Sequence, residues 1–195
     1  MSYMLIRFVI YILAFCGILA KNKIGKGKNY ILFCASILLI SIVISLFPVE
    51  NAFLSFETVE DAFDYRESGE IVKVVENENS GAVVFKKSRT TYSTFFVLKK
   101  DSGYKLCSLF DSKTVHHGEK DDISVEIHKV GYSDFYISVF GIASNEITVI
   151  DNLGNEFEFH KFEESDYIWI CDLQKINYTS DYRLYINGSH VEFAS

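Results

Sequence analysis

The sequence predicts a transmembrane α-hairpin followed by a mainly β soluble region. Residues 1–48 contain neither Asp nor Glu, whereas all 26 acidic residues of the chain follow Pro48. Two apolar runs, 3–20 and 30–47, precede this proline, and short alternating apolar and polar patterns follow it. These observations together indicate a membrane anchor joined to an acidic, strand-rich domain.

The two apolar runs are interpreted as membrane-spanning helices. Each would extend about 27 Å as a helix, close to the hydrocarbon thickness of about 30 Å. The connection between them is rich in lysine, which favours the cytoplasmic side of a membrane. The residues expected to determine the topology are Lys21, Lys23, Lys26 and Lys28. The predicted location is therefore the cell membrane, with two helices and with both termini outside the cytoplasm.

The charge of the remaining chain restricts the class of partner. Five of the 19 basic residues lie in residues 1–48, which leaves 14 against 26 acids, a net charge of −12 for residues 49–195. Such a surface disfavours nucleic acid, because phosphate neutralisation dominates that kind of binding. Cationic partners and metal ions stay open. The predicted partners are the lipid bilayer and a protein or peptide at the outer face of the membrane; the oligomeric state is not predicted.

Residues 49–111 are expected to form a juxtamembrane segment and a small α+β lobe. Thr58-Val-Glu-Asp61 has the form of a capping box, so a short helix should follow with Val59, Ala62 and Phe63 on one face. Period-two patterns then predict strands at 71–76, 82–87, 92–99 and 104–110. Short turns between consecutive strands favour an antiparallel meander packed against the helix.

Residues 112–195 are expected to form a small immunoglobulin-like β-sandwich. His116–Asp122 is interpreted as a polar loop, after which Ile123, Val125 and Ile127 should face a core while Ser124, Glu126 and His128 face water. Further strands are predicted around 135–139, 147–149, 157–159, 168–170 and 184–186, with turns at 151–155 and 187–188. Tyr182 is placed as the tyrosine corner of immunoglobulin-like folds would be.

Few residues suggest chemistry. The cluster from His116 to Asp122 is the densest set of ligand types, but adjacent histidines on an extended chain point to opposite faces, so no metal site is predicted. Cys107 and Cys171 lie on predicted strands, and the sequence leaves open whether they form a disulfide or stay as two buried thiols. Phosphate-loop, dinucleotide-binding and hydrolase motifs are not found in the sequence, so no catalytic residue, cofactor-binding residue or cofactor is predicted.

One stretch of the chain resembles a known group of proteins. Phe47-Pro48-Val49-Glu50 follows the second apolar run and precedes Phe53, Phe56, Thr58, Glu60, Ala62 and Tyr65. In this arrangement the chain resembles uncharacterised two-helix membrane-anchored proteins of low-GC Gram-positive bacteria with an extracytoplasmic β-rich domain. The resemblance implies a domain at the cell surface and transfers no catalytic residue.

The functional hypothesis is a membrane-tethered extracytoplasmic binding module that is not an enzyme. The alternative is a membrane immunity or stress-response factor that acts on another membrane protein or on a cationic peptide. An envelope hydrolase is a third class, and it would require polar residues clustered in a cleft.

Overall fold

The computed structural model describes residues 35, 36, 39, 46–88, 91–143, 147–164 and 167–194. The chain divides into two compact units, Met1–Leu54 and Ser55–Ser195. In the first unit, Val49–Ala52 forms a 3₁₀ helix. The elements of the second unit are helix α1 (Val59–Arg66) and the strands β1 (Glu70–Glu76), β2 (Ser80–Ser88), β3 (Thr91–Lys100), β4 (Gly103–Leu106), β5 (Ser112–Lys120), β6 (Ile123–Val130), β7 (Asp134–Ala143), β8 (Val149–Asp151), β9 (His160–Glu164), β10 (Tyr167–Ile176), β11 (Leu184–Ile186) and β12 (Ser189–His190).

Helix α1 begins at the predicted capping box. Asp61 N–H donates to Thr58 Oγ1 at 3.0 Å, and Thr58 N–H donates to Asp61 Oδ2 at 3.2 Å. These bonds satisfy two backbone donors that a helix start would otherwise leave unpaired. The predicted apolar face is also confirmed, because Val59, Ala62 and Phe63 are all fully buried.

The first sheet is the predicted antiparallel meander, with strand order β1-β2-β3-β4. Its helix-facing side forms a core in which the Phe63 ring lies 4.8 Å from Phe85 and 5.7 Å from Phe95. Gly81 on β2 allows this packing, since a Cβ at that position would lie 2.5 Å from Cγ2 of Val59. The helix can therefore lie close against the sheet only because residue 81 has no side chain.

Two more antiparallel sheets follow along the chain. The second sheet has the order β5-β6-β7-β10-β9, and the third has the order β12-β11-β8. The turn between β11 and β12 is the predicted Asn187-Gly188 hairpin, in which both residues have positive φ, 49° and 77°. This geometry is the type I′ turn that matches the twist of a hairpin.

The second sheet lies between the other two. Side chains of β6, β7 and β10, with Val149, Leu184 and Ile186 of the third sheet, form one core. On the other face, Tyr136 and Leu173 pack with Ala82 and other residues of the first sheet. The layers are therefore helix, first sheet, second sheet and third sheet. Residues before and after position 111 therefore pack in one shared core, although the sequence suggested a boundary between two lobes at this position.

The prediction of a transmembrane α-hairpin is corrected to a mainly β fold with three antiparallel sheets. Among the described residues, no helix is long and apolar enough to cross a bilayer. Helix α1 has 8 residues, which rise about 12 Å against the roughly 30 Å needed. The two-helix cell-membrane location with both termini outside the cytoplasm is therefore not supported. The predicted spans 3–20 and 30–47 lie outside the described residues except for 35, 36, 39, 46 and 47.

The immunoglobulin-like topology is also wrong. In an immunoglobulin fold the second and third strands belong to different sheets. Here β5, β6 and β7 are consecutive neighbours within one sheet. Tyr182 is buried, and this burial, together with the nearby Asp151 carboxylate, raises its pKa. Its hydroxyl makes no hydrogen bond to the described backbone, whereas a tyrosine corner does.

Three local predictions in this half need correction. His116–Asp122 is not a loop, because residues 116–120 belong to strand β5. This strand pairs with β6, and a bulge between Thr114 and His116 shifts the register of the pairing. Residues 157–159 form no strand; only an isolated bridge joins Ile150 to Glu156. On β6, Ile123, Val125 and Ile127 are buried as predicted, but His128 is buried too, since the first sheet covers that face.

Candidate functional site

The structure describes only some of the residues singled out by the sequence. Lys21, Lys23, Lys26 and Lys28 lie outside the described residues. Cys107 and Cys171 are free cysteines, both buried, so the structure does not contain the disulfide left open by the sequence. Burial raises the pKa of each thiol to about 12. Buried thiols with raised pKa values are poor nucleophiles, so both cysteines are interpreted as core residues.

The predicted cluster from His116 to Asp122 lies along strand β5 and the turn that follows it. His117 Nε2 lies 3.6 Å from Glu119 Oε1, and its Nδ1 lies 3.9 Å from Glu126 Oε1 on the neighbouring strand. The other Glu126 oxygen lies 3.4 Å from Nε2 of His128. Within the described part of the chain, no group of three or more His, Cys, Asp and Glu has an arrangement that could hold a metal ion. These contacts therefore place carboxylate and imidazole groups side by side along two neighbouring strands.

His128 belongs to a closed polar network. Its Nε2 lies 2.9 Å from Ser138 Oγ, and its Nδ1 lies 3.2 Å from Thr114 Oγ1. Ser138 is fully buried, and the imidazole packs 5.0 Å from the Phe96 ring. Burial lowers the pKa of His128 to about 4. A neutral histidine between two hydroxyl groups satisfies its own hydrogen bonds, so this network stabilises the fold.

A second buried network joins the first two sheets near Asn79. Ser80 Oγ donates to Asp134 Oδ2 at 2.6 Å and lies 2.9 Å from the Tyr136 hydroxyl. The backbone N–H of Asn79 donates to the same Asp134 oxygen at 3.0 Å. These bonds fix the β1–β2 turn against the start of β7, beside a cleft that lies among the described residues.

The first cleft has a volume of about 440 Å³. Its lining includes Leu98, Lys100, Phe110, Tyr132 and Ser133. Two turns form its edge, one between β4 and β5 and one between β6 and β7, and Gly131 N–H joins them by donating to Asp111 O at 2.7 Å.

Three large apolar side chains project from these turns into solvent. Leu109 is 67% exposed, Phe110 is 69% exposed and Tyr132 is 98% exposed. We call these three residues the apolar rim. The sequence does not mark Leu109 and Phe110 as exposed, because its pattern predicts a strand at 104–110, whereas β4 ends at Leu106.

The turn that carries Leu109 and Phe110 is well ordered by hydrogen bonds. Ser108 N–H donates to Asp111 Oδ2 at 2.7 Å, and Asp111 N–H donates to Ser108 O at 3.2 Å. Phe110 N–H donates to Ser108 Oγ at 3.3 Å. Ser and Asp three residues apart commonly form such turns, so this spacing was the signal that could have located the rim.

The second cleft, of about 480 Å³, lies at the β5–β6 turn. Trp169 and Ile142 line it, together with Glu119, Asp121 and Asp122. Asp121 and Asp122 have positive φ, 50° and 63°, as a tight hairpin turn requires. Neither described lining contains a histidine or a cysteine, and each combines apolar or aromatic side chains with charged and polar ones.

Comparisons of the chain with protein-family models, with curated proteins and with solved structures gave no match. The family resemblance noted in the sequence therefore stays a prediction. A functional assignment has to come from the geometry of the two clefts and the apolar rim.

Proposed function

We propose that the Ser55–Ser195 unit is a non-enzymatic binding module that recognises a protein or peptide through the apolar rim. The observation that carries this proposal is the exposure of Leu109, Phe110 and Tyr132 on two adjoining turns beside a cleft. Single exposed apolar residues are ordinary on protein surfaces, but several grouped at the edge of a cleft are typical of interaction sites.

Burial of the rim would supply substantial binding free energy. Covering a Leu or Phe side chain contributes about 1.5–3 kcal/mol, so the three side chains together could contribute about 5 kcal/mol before the cost of association. Tyrosine is also frequent among the residues that dominate binding energy. The rim can therefore supply part of the binding free energy, and contacts in the neighbouring cleft would add to it.

The hydrogen bonds that fix the two turns lower the conformational entropy cost of association. Asp111 accepts from Ser108 N–H through its carboxylate and from Gly131 N–H through its carbonyl oxygen. These bonds hold Phe110 and Tyr132 on neighbouring turns before any partner arrives. Since less conformational entropy is lost on binding, more of the burial free energy remains as affinity.

The cleft beside the rim is large enough to receive a side chain of a polypeptide partner. Its volume lies within the range of about 300–1,000 Å³ that is usual for binding pockets. Asn79, Ser133 and Lys100 add hydrogen-bonding groups to the apolar side chain of Leu98. An apolar residue of a partner could enter this cleft while its backbone bonds to the polar groups.

Site-specific photocrosslinking in cells that express the full chain tests this proposal. A Tyr132→p-benzoylphenylalanine variant should give a discrete crosslinked product with a protein or peptide. The matched control is Leu153→p-benzoylphenylalanine, because Leu153 is also an exposed apolar residue on a turn, 55% exposed. The product should be absent from the control and should be lost when Phe110→Ser is added. The same products from both positions, or no product from position 132, would contradict the proposal.

A further inference from the structure

The second cleft combines an aromatic floor with an acidic edge. Trp169 on β10 pairs directly with Ile142 on β7, so the two side chains lie side by side on one face of the second sheet. Tyr167, two residues before Trp169 on the same strand, is on the same face and is exposed. Such a surface on a sheet face is open to a ligand, and the indole offers a flat electron-rich ring.

The charged residues of the lining determine which ligand would fit. Glu119, Asp121 and Asp122 provide three carboxylates, and Lys120 is the one cation among the described lining residues, so the lining carries a net charge of −2. Carboxylates alone would not define a site, because acidic residues are common on a surface of this charge. Their position around an accessible indole is the feature that matters, since indole rings and carboxylates both attract cations.

We infer that this cleft binds lysine or arginine side chains of a cationic peptide segment. The cationic group would lie against the Trp169 ring and within reach of the carboxylates of Asp121 and Asp122, while its aliphatic stem would contact Ile142. An anionic ligand would instead be repelled by the negative charge of the lining. The net charge of −12 in residues 49–195 also attracts cationic segments over longer distances.

This site is separate from the apolar rim. The β5–β6 turn precedes β6, whereas Tyr132 follows it, so the two surfaces lie at opposite ends of an eight-residue strand, roughly 25 Å apart. The inference goes beyond the proposed function, because it assigns a second ligand class to a second place on the same unit. Failure of one proposal would leave the other intact.

Trp169 itself provides the measurement, because it is the only tryptophan of the chain. The full chain is titrated with oligolysine, and tryptophan fluorescence is recorded. A saturable change in intensity or emission maximum is expected with oligolysine, and no change is expected with oligolysine that has been fully acetylated, which has lost its charges. No response to oligolysine, or an equal response to the acetylated peptide, would overturn the inference.

A pair of matched variants separates the cleft from the general charge of the domain. Asp121→Asn with Asp122→Asn keeps a residue type that tolerates positive φ, so the turn should be retained. We expect this double variant to bind oligolysine about tenfold more weakly at low salt. Glu78→Gln with Asp101→Asn removes the same charge from turns remote from the cleft and should change the affinity less than about twofold. Equal weakening in both double variants would mean diffuse attraction and would overturn the inference.

Substitution of Trp169 removes the fluorescence signal, so calorimetry is used to test the role of its ring in binding. Trp169→Leu keeps an apolar residue but removes the ring, and it should weaken oligolysine binding about three- to fivefold. Phe110→Ser with Tyr132→Ser should leave this binding unchanged. An unaltered affinity in Trp169→Leu would exclude the ring from the site and contradict the inference.

Discussion

Nζ of Lys73 on β1 lies 2.5 Å from Oδ1 of Asp172 on β10, although the two residues are 99 positions apart in the chain. The Asp172 side chain is fully buried, whereas that of Lys73 is 37% exposed. Leu173 N–H and Gln174 Nε2 also donate to the Asp172 carboxylate, each at 2.8 Å. This pair therefore joins the first and second sheets through one buried charge.

Lys73→Met should destabilise the protein by about 2 kcal/mol. The change leaves the buried carboxylate of Asp172 without its counter-charge, but the remaining hydrogen bonds and the partial exposure of Lys73 reduce the loss. Chemical denaturation should show a lower midpoint. Lys73→Met with Asp172→Asn should recover part of the loss, and Lys113→Met should have little effect. A double variant less stable than Lys73→Met would contradict this interpretation.

The lowered pKa of His128 predicts that the protein loses stability in mild acid. Burial holds its pKa at about 4 in the native state, whereas the unfolded chain has a pKa near 6.5. Between these values the unfolded state binds a proton that the native state does not, so the free energy of unfolding falls as the pH falls from about 6.5 to 4. The loss is about 3 kcal/mol, because the native and unfolded pKa values differ by about 2.5 and each pKa unit corresponds to about 1.4 kcal/mol.

Urea denaturation at several pH values between 7 and 4.5 measures this dependence. His128→Gln should be less stable than the natural chain at pH 7 and should show a smaller decrease toward pH 4.5. His190→Gln provides the control, since His190 is exposed, and it should retain the full decrease. An identical pH dependence in the natural chain and in His128→Gln would exclude His128 as the cause.

A side chain at position 81 should cause steric conflict between helix α1 and the first sheet. Gly81→Ala places a Cβ 2.5 Å from Cγ2 of Val59 and 3.2 Å from Cγ2 of Val97, which should cost about 2 kcal/mol. Because the closest atom belongs to Val59, combining Gly81→Ala with Val59→Ala should be less destabilising than the sum of the two single changes, by at least about 1 kcal/mol. Strict additivity in thermal or urea unfolding would show that the two positions do not conflict.

Local patterns in the sequence predicted much of the fold of the Ser55–Ser195 unit. Thr58 and Asp61 marked the helix start, and Asn187-Gly188 marked a hairpin, because both signals depend on bonds and dihedral angles within a few residues. The alternation at Ile123, Val125 and Ile127 identified a buried strand face. Burial of His128 was not predictable in this way, since it results from a first sheet distant in sequence.

The errors also have physical causes. Strand β5 lacks an apolar alternation, and a bulge between Thr114 and His116 shifts its register, so pairing with β6 and a bridge to Ala194 define it instead. The sequence pattern predicts Leu109 and Phe110 in a strand, because apolar residues usually belong to a core. The candidate binding surface was missed for this reason: its residues are apolar and yet exposed.

The apolar rim should contribute little to folding. Leu109→Ser, Phe110→Ser and Tyr132→Ser combined should change the free energy of unfolding by less than about 1 kcal/mol, because these side chains are mostly in solvent. Phe63→Ala, which removes a fully buried ring, should cost about 3–5 kcal/mol. If the triple variant loses as much stability as Phe63→Ala, the rim is part of the folded core.

The affinity of the crosslinked partner is the most direct measure of the proposed function. Calorimetry with that purified partner would compare the natural chain, Phe110→Ser with Tyr132→Ser, and Leu153→Ser. Loss of two apolar contacts should weaken binding at least about thirtyfold, and Leu153→Ser should change it less than about twofold. Equal affinities for all three proteins would contradict a binding role for the apolar rim.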